Sequence, residues 1–278
     1  MLPAVRAISL PGCACRGAFQ FAVMARLAAA GERFDLVAGA SSGSICGALT
    51  VAGLAARGPE IARALAGSPI VSTRYLVTER SIFGMGRIVR ETLERYLPES
   101  RLHDTEAELL VATTHAGAYA RGLLPAILRR SVTTGSPAGS PRSEPLVIHS
   151  NRERGDLHDV LLASCYIPVL HARMARLDGA LHLDGALADN TLLDALVARG
   201  ARDVTVVTPF AEGAVARTMF DAEGPLHPRP GVRLRVIYPE RPLSIGRFDF
   251  SPERMEEALR MPHRERILSA VASDGGPA

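Results

Sequence analysis

The chain has 278 residues, of which 47% are hydrophobic and 22% charged, and its formal net charge at pH 7 is +3. This composition is that of a globular protein with a sizeable core, and the charge is too small to indicate a nucleic-acid partner. All 32 basic residues are arginine, which excludes Schiff-base enzymes, Walker P-loops and S-x-x-K hydrolases, because each of these needs a lysine.

Short apolar runs predict seven strands, and several are separated by segments with the apolar spacing of a helix. The predicted strands are 4–10, 34–38, 109–113, 145–149, 181–183, 203–208 and 232–238. Helical spacing follows the glycine-containing loop at 11–17 and recurs at 45–52, 157–164, 192–197 and 252–261. Strands that alternate with helices predict a three-layer α/β/α fold with a mostly parallel central sheet.

Several single residues mark where these elements begin and end. Gly31 and Gly200 stand where glycine commonly ends a helix, and Ser251 before Pro252 can cap the start of one. Asp178 and Gly179, which are flanked by Arg176-Leu177 and Ala180-Leu181, fit a hairpin turn. We expect one domain over 1–278 with a core of about 4–260.

The stretch LVAGASSGSICG, at 36–47, allows two interpretations. Its glycines at 39, 43 and 47 have the spacing of paired membrane helices, within an uncharged run from 36 to 56. A membrane span needs about 20 predominantly apolar residues, whereas this run holds four glycines, three serines and a threonine. The second interpretation, which we favour, is G-x-S-x-G, a tight turn that lifts a serine from a strand end onto a helix N-terminus.

Two segments and the N-terminus bear on location. AYARGLLPAILRR, at 118–130, fits a buried helix with basic ends or a segment that touches a lipid surface, and the Ser-, Pro- and Gly-rich 131–145 is expected to be a mobile surface loop. The N-terminus lacks the features of a secretory signal, and the four cysteines show no disulfide framework. We therefore expect a cytoplasmic protein without a transmembrane segment, with peripheral membrane contact left open.

Ser41 is the candidate nucleophile. A serine hydroxyl needs a base within hydrogen-bond reach and donors for the oxyanion that forms, and the predicted turn places Ser41 at a helix N-terminus, which favours negative charge. A Ser-Asp-His triad would need a late histidine, and His227 and His263 lie in a Pro-rich loop and a polar terminal segment. The triad is therefore possible without being supported.

Asp184 is the candidate base. It ends a predicted strand, and Gly185 opens a turn towards the next helix. Because the carboxyl ends of strands line the ligand crevice in a doubly wound sheet, Ser41 and Asp184 are expected to converge there. The alternative is that Asp184 only makes a local turn.

Three blocks of sequence together resemble the patatin-like phospholipases, a family of serine lipid acyl hydrolases. They are PGCACRGAF at 11–19, which is similar to the glycine-rich oxyanion loop, GASSG at 39–43 and the aspartate motif Asp184-Gly185-Ala186. ASCYIPVL at 163–170 and DNTLLDALVARGARDVTVV after the aspartate add to the likeness, which runs over about 4–260.

The resemblance implies a Ser41–Asp184 dyad without histidine, metal or organic cofactor. It also implies backbone oxyanion donors and residues that support the motifs. The implied donors are Gly12, Cys13, Ala14 and Ser42, and the implied supporting residues are Arg16, Gly17, Gly39, Gly43, Gly185, Ala186 and Asn190. Arg16 would orient its loop, meet a lipid phosphate or form a structural ion pair, and Asn190 would hold the turn.

The oxyanion loop departs from the family pattern. Where the family has consecutive glycines, this chain has Gly12, then Cys13 and Ala14, and only glycine reaches a positive φ without penalty. We expect hydrolysis of lipid acyl esters through an acyl-enzyme. The alternatives are an acyltransferase of related fold, an α/β-hydrolase-type esterase, and a lipid-binding or regulatory protein whose catalysis is weakened by the loop.

Overall fold

A computed structural model of the chain describes residues 5–116, 146–168, 170–171, 175–219 and 221–269. Two segments lie outside the described residues: 118–130, expected to be a buried helix with basic ends or a segment that touches a lipid surface, and 131–145, expected to be a mobile surface loop.

The described residues form one sheet of nine strands. The strands are β1 (Arg6–Leu10), β2 (Leu36–Gly39), β3 (Glu108–His115), β4 (Leu146–Ser150), β5 (Ala175–Leu177), β6 (Ala180–Asp184), β7 (Asp203–Val207), β8 (Arg233–Pro239) and β9 (His263–Ser269). Five of them, in the spatial order β3-β2-β1-β7-β8, are parallel. The other four attach to the ends of this parallel core by antiparallel pairing.

Strand β3 brings two strand ends together. β4 pairs with residues 110–114 of β3 and so occupies most of one edge. β2 pairs with 108–111 and β6 with 113–115, and each overlaps the stretch that β4 covers. β2 and β6 must therefore share the opposite edge, one beyond the other. Because β6 runs antiparallel to β3, its C-terminal residue Asp184 faces the C-terminal end of β2.

This arrangement corrects one step of the sequence argument. Asp184 does not reach the crevice as the end of another parallel strand, since β6 runs against the parallel core. It reaches the end of β2 because two strands of opposite direction meet head to head along β3. The expected convergence is therefore present, for a different geometric reason.

Besides short 3-10 turns, the described residues also form nine α-helices. They are α1 (Gly17–Ala29), α2 (Ser42–Val51), α3 (Gly58–Leu65), α4 (Tyr75–Thr78), α5 (Met85–Tyr96), α6 (Ser100–His103), α7 (Leu157–Ser164), α8 (Leu193–Ala198) and α9 (Pro252–Arg260). None of the helices in the described ranges is both long and apolar enough to cross a membrane.

Alternate residues of the parallel strands point to opposite faces of the sheet, and each face has its own apolar core. Ile8, Val37 and Leu109 belong to the larger core, to which α1, α2, α3, α7 and α9 contribute buried side chains. Their neighbours Ala7 and Leu36 belong to the second core, which includes Leu196 of α8. The sheet is thus flanked by helices, as the sequence predicts.

All seven predicted strands are present, with ends displaced by a few residues. The Asp178-Gly179 hairpin joins β5 to β6, since Leu177 pairs with Ala180. Ser251 caps α9 by accepting the N–H of Arg254. The polar terminal segment with His263, for which the sequence predicts no element, is β9, an edge strand without a buried residue that pairs antiparallel with β8.

Candidate active site

The turn after β2 holds Ser41 in a strained conformation. β2 ends at Gly39 and α2 begins at Ser42, so the predicted order of strand, turn and helix is present. Ser41 has φ +52° and ψ −132°, a combination that costs free energy for a residue with a side chain. Such a turn places the serine hydroxyl at the top of the sheet, and here Ser41 is buried and lines two cavities.

Two glycines leave the space that this turn needs. A Cβ on Gly43 would overlap the carbonyl oxygen of Leu10 in β1, and a Cβ on Gly39 would lie 2.6 Å from the Gly43 carbonyl oxygen. Both clashes are with backbone atoms, which cannot move aside without displacing a strand or the helix. The turn is thus packed directly against β1.

Asp184 presents an almost unsatisfied carboxyl group next to this turn. It is fully buried, and its Oδ1 accepts the N–H of Ala186 at 2.9 Å. Oδ2 has no hydrogen-bond partner among the described residues. Burial raises the pKa of Asp184 to about 7, against the smaller lowering effects of the Ser41 side chain and the Ala186 N–H.

The Ser41 side chain is close enough to Asp184 to affect its pKa, but no hydrogen bond joins the hydroxyl to Oδ2. Pairs of this kind are often long or poorly aligned when no substrate is bound. The unpartnered oxygen of Asp184 is therefore the acceptor available to the Ser41 hydroxyl.

The loop at 11–17 approaches Ser41 from β1. A Cβ on Gly12 would lie 2.7 Å from the Ser41 Cβ. The N–H of Gly12 donates to Asn190 Oδ1 at 2.6 Å, and the N–H of Cys13 donates to Ser42 Oγ at 3.1 Å. Of the four N–H groups that the family resemblance implies as oxyanion donors, these two already have acceptors.

Ala14 and Ser42 carry the other two N–H groups. Neither donates to an acceptor within the described part of the chain. Ala14 has φ +52°, so the loop takes the left-handed conformation at this position although the residue has a Cβ. Ala14 and Ser42 both line the apolar cavity that opens at Ser41.

Two amide side chains fix the loop, and only one is expected from the sequence. Asn190 holds Gly12 from both sides, since its Nδ2 donates to the Gly12 carbonyl at 3.3 Å while its Oδ1 accepts the N–H. Gln20 was missed. Its Nε2 donates to the carbonyls of Pro11 and Val207 at 2.8 and 2.9 Å, and its Oε1 accepts the Cys13 thiol at 3.3 Å. A lone glutamine in the apolar run AFQFAVM was the available signal.

Arg16 is held against the protein. Its Nε donates to the Ile245 carbonyl at 3.2 Å, and its guanidinium lies 5.2 Å from the centre of the Phe210 ring. It forms no ion pair with a described residue and lines neither cavity at Ser41. Gly17 begins α1, where a Cβ would make ordinary contact with Ser42.

Two cavities meet at Ser41. One, of about 110 Å³, is lined mainly by apolar side chains from α1, α2, α3 and α5. The other, of about 440 Å³, is more polar and includes Asp184 and Asn190. Ala14, Ser41 and Arg247 line both. An ester carbonyl at Ser41 would thus have an apolar space on one side and a wider polar space on the other.

The other titratable groups of the described residues supply no second catalytic set at these two cavities. No described histidine lines either of these cavities. His263 contacts Arg26, and His227 lines a separate cavity. Burial raises the pKa of the Cys13 and Cys15 thiols to about 12, so both are protonated at neutral pH. The described residues hold no group of three or more His, Cys, Asp or Glu placed to bind a metal.

The fold and this site define a class: an α/β protein with a serine at a strained strand-to-helix turn and a buried carboxyl beside it. The sequence model of the patatin-like phospholipases matches residues 8–197. The chain belongs to that family, whose members generally hydrolyse lipid esters.

The other comparisons are more distant. The crystal structure of VipD from Legionella pneumophila is similar to 76% of this chain, with 12% sequence identity and a TM-score of 0.44. This chain corresponds to 51% of the VipD chain, about half its length. No curated protein sequence matches.

Proposed function

We propose that the protein hydrolyses acyl esters of lipids through a Ser41–Asp184 dyad. The observation that carries the proposal is the Asp184 carboxyl, which is fully buried, has one oxygen without a hydrogen-bond partner among the described residues, and has a pKa raised to about 7. An ordinary aspartate is too weak a base to activate a serine. A pKa near the working pH suits a general base.

The proposed reaction has two halves. Asp184 accepts the Ser41 proton as the hydroxyl attacks the ester carbonyl, and the tetrahedral intermediate then expels the alcohol, which takes the proton from Asp184. In the second half, water loses a proton to Asp184 and attacks the acyl-Ser41 carbonyl. Collapse of this second intermediate breaks the bond to Ser41, which regains the proton as the fatty acid leaves.

The N–H groups of Ala14 and Ser42, which donate to no described residue, are the proposed oxyanion donors. Those of Gly12 and Cys13 already have acceptors, so their part is to fix the loop. Preorganised N–H groups of this kind are worth about 10² to 10³ in turnover for each donor. The left-handed φ of Ala14 supports the view that the loop keeps its shape without consecutive glycines.

The two cavities suggest how the substrate lies. We propose that the acyl chain enters the apolar cavity and that the alcohol portion leaves through the wider polar one. An acyltransferase would form the same acyl-Ser41 and pass the acyl group to an alcohol or thiol. Product analysis with and without added acceptors distinguishes the two outcomes.

The dyad is tested by Ser41→Ala and Asp184→Asn, each of which should abolish turnover of p-nitrophenyl esters. A fluorophosphonate probe should label wild type at Ser41, as located by peptide mass spectrometry. Asp159→Asn on the exposed part of α7 is the matched control and should keep full activity. Full activity of the Ser41 variant would show that the dyad is wrong.

The raised pKa of Asp184 gives a pH test. Catalysis needs the carboxylate, so kcat/KM should rise about tenfold per pH unit up to about 7 and then level off. The folded pKa lies above the ordinary value of 3.8, so wild type should lose stability as pH rises from there to about 7. Asp184→Asn should lack this loss in thermal unfolding. A profile that levels off near pH 4 would contradict the assignment.

A further inference from the structure

The segment that follows β8 is fastened to the loop at 11–17. The Arg247 carbonyl accepts the N–H of Cys15 at 2.9 Å, and the Ile245 carbonyl accepts Nε of Arg16 at 3.2 Å. In the segment after β8, both acceptors are backbone carbonyls. The two bonds therefore fix the backbone at Arg247 and do not involve its guanidinium. Arg247 is thereby held where the two cavities meet at Ser41.

Arg247 is the only cationic side chain lining either cavity within the described residues. The wider cavity also holds Asp184 and Asp221, and the Asp221 carboxyl accepts the N–H of Thr218 at 3.0 Å. The charge of Arg247 is felt at the loop, because it opposes part of the rise that burial causes in the pKa of Cys13.

The guanidinium is only weakly engaged. It lies 3.8 Å from Glu223 in an ion pair with both side chains about half exposed, and 3.4 Å from the Met219 carbonyl. Exposed pairs of this kind contribute little, and a guanidinium has five N–H donors. Arg247 therefore keeps donors for a ligand in the wider cavity.

Resting on the function proposed above, we propose that Arg247 binds the phosphate of a phosphorylated lipid ester, with the phosphate on the alcohol side of the scissile bond. A guanidinium matches phosphate oxygens with two parallel N–H groups. The wider cavity receives the alcohol portion, and Arg247 stands at its junction with Ser41. Arg247 lies outside the residues 8–197 that match the family, so the proposed phosphate-binding residue belongs to the later part of the chain.

Arg16, the arginine for which the sequence left phosphate contact open, is less suited to this role. Its guanidinium is held by the Ile245 carbonyl and the Phe210 ring, and it lines neither cavity. Its effect on the phosphate would be indirect, through the position of the segment that carries Arg247.

The test compares two substrates with the same short acyl chain, a lysophosphatidic acid and the monoacylglycerol without the phosphate, both kept monomeric. Arg247→Gln should lower the ratio of kcat/KM for the phosphorylated over the neutral ester by about 10- to 100-fold, the scale of hydrogen bonds to a charged group. Arg247→Lys, which keeps the charge and loses the planar fork, should give an intermediate ratio.

Arg241→Gln is the matched control. Arg241 lies in the same segment, pairs with Glu257 at the surface and lines neither cavity, so the ratio should not change. Equal losses on both substrates in Arg247→Gln would mean that Arg247 only supports the loop. An unchanged ratio would mean that it does not meet the phosphate. Either result overturns the proposal.

Binding measurements test the role of Arg247 independently of the proposed Ser41–Asp184 dyad. In the Ser41→Ala protein, lysophosphatidic acid should bind more tightly than the monoacylglycerol, and adding Arg247→Gln should remove most of the difference. This preference does not depend on turnover, so it would survive if Ser41 proved not to be the nucleophile. Equal binding of the two lipids by the Ser41→Ala protein would overturn the role of Arg247 and leave the dyad standing.

Discussion

The turn at 39–43 and the loop at 11–17 meet at Ser41 and solve the same problem differently. Each holds a non-glycine residue at φ +52°, Ser41 in the turn and Ala14 in the loop. In the turn, glycines on both sides of the serine prevent overlap with backbone atoms. In the loop, Gly12 is the only glycine at which an added Cβ would overlap a neighbour, since it would lie 2.7 Å from the Ser41 Cβ.

The difference separates two uses of glycine. Only glycine leaves the space that the turn needs. The left-handed conformation that the loop needs can also be adopted by a residue with a Cβ, at a cost of about 1–2 kcal/mol. Cys13 has φ −153° and carries no such cost, so the departure from the family pattern is expensive at Ala14 alone. The hydrogen bonds from Asn190 and Gln20 offset it.

The largest expected effect is at Gly43. Gly43→Ala places a methyl group on the Leu10 carbonyl of β1, so either the turn or the central strand must move. We expect loss of several kcal/mol of stability, beyond the usual range for point mutants, and loss of fluorophosphonate labelling. Urea unfolding and labelling of the soluble fraction measure both.

Gly155→Ala is the control for this prediction. A Cβ there meets nothing within 4 Å, and its φ is not positive. Stability should change by less than about 0.5 kcal/mol. If Gly43→Ala were as stable and active as Gly155→Ala, the turn would not be packed against β1 as described, and the contrast between turn and loop would fail.

The sequence predicts most of the fold because the parallel strands are short apolar runs between helices with clear periodicity. It predicts the turn because Gly39, Ser41 and Gly43 keep a local spacing that reflects steric demands. The sequence does not predict β9 because HRERILS is an edge strand whose charged residues lie on both faces, so that it lacks the apolar pattern of the inner strands. Edge strands bury too little apolar surface to stand out.

The candidate site was harder to predict where it depends on contacts across the chain. Ser41 and Asp184 follow from local motifs, but the head-to-head meeting of β2 and β6 depends on pairing with β3. That Asn190 engages the Gly12 N–H depends on two residues 178 positions apart. No local sequence pattern indicates such a contact. The family resemblance therefore implied four oxyanion donors, whereas only two of these N–H groups have no acceptor among the described residues.

The smallest expected effect sharpens the comparison at Ala14. Ala14→Gly removes the cost of the left-handed conformation. It also makes the unfolded chain more flexible, which lowers the gain in stability by about 0.4–1 kcal/mol. We expect a net gain of about 0.5–1 kcal/mol in the free energy of unfolding, measured by urea denaturation. Ala25→Gly in the middle of α1 is the matched control and should instead lose about 1 kcal/mol.

Turnover of Ala14→Gly tests whether the Ala14 N–H is aligned with the oxyanion. Because the loop already has φ +52° at Ala14, glycine should lower the cost of this conformation without changing the direction of the N–H, and kcat should stay the same. A rise of about 10² or more in kcat, the scale of one oxyanion donor, would mean that alanine holds this N–H out of line. The loop would then be the weak part of the site, and its difference from the turn would concern catalysis as well as stability.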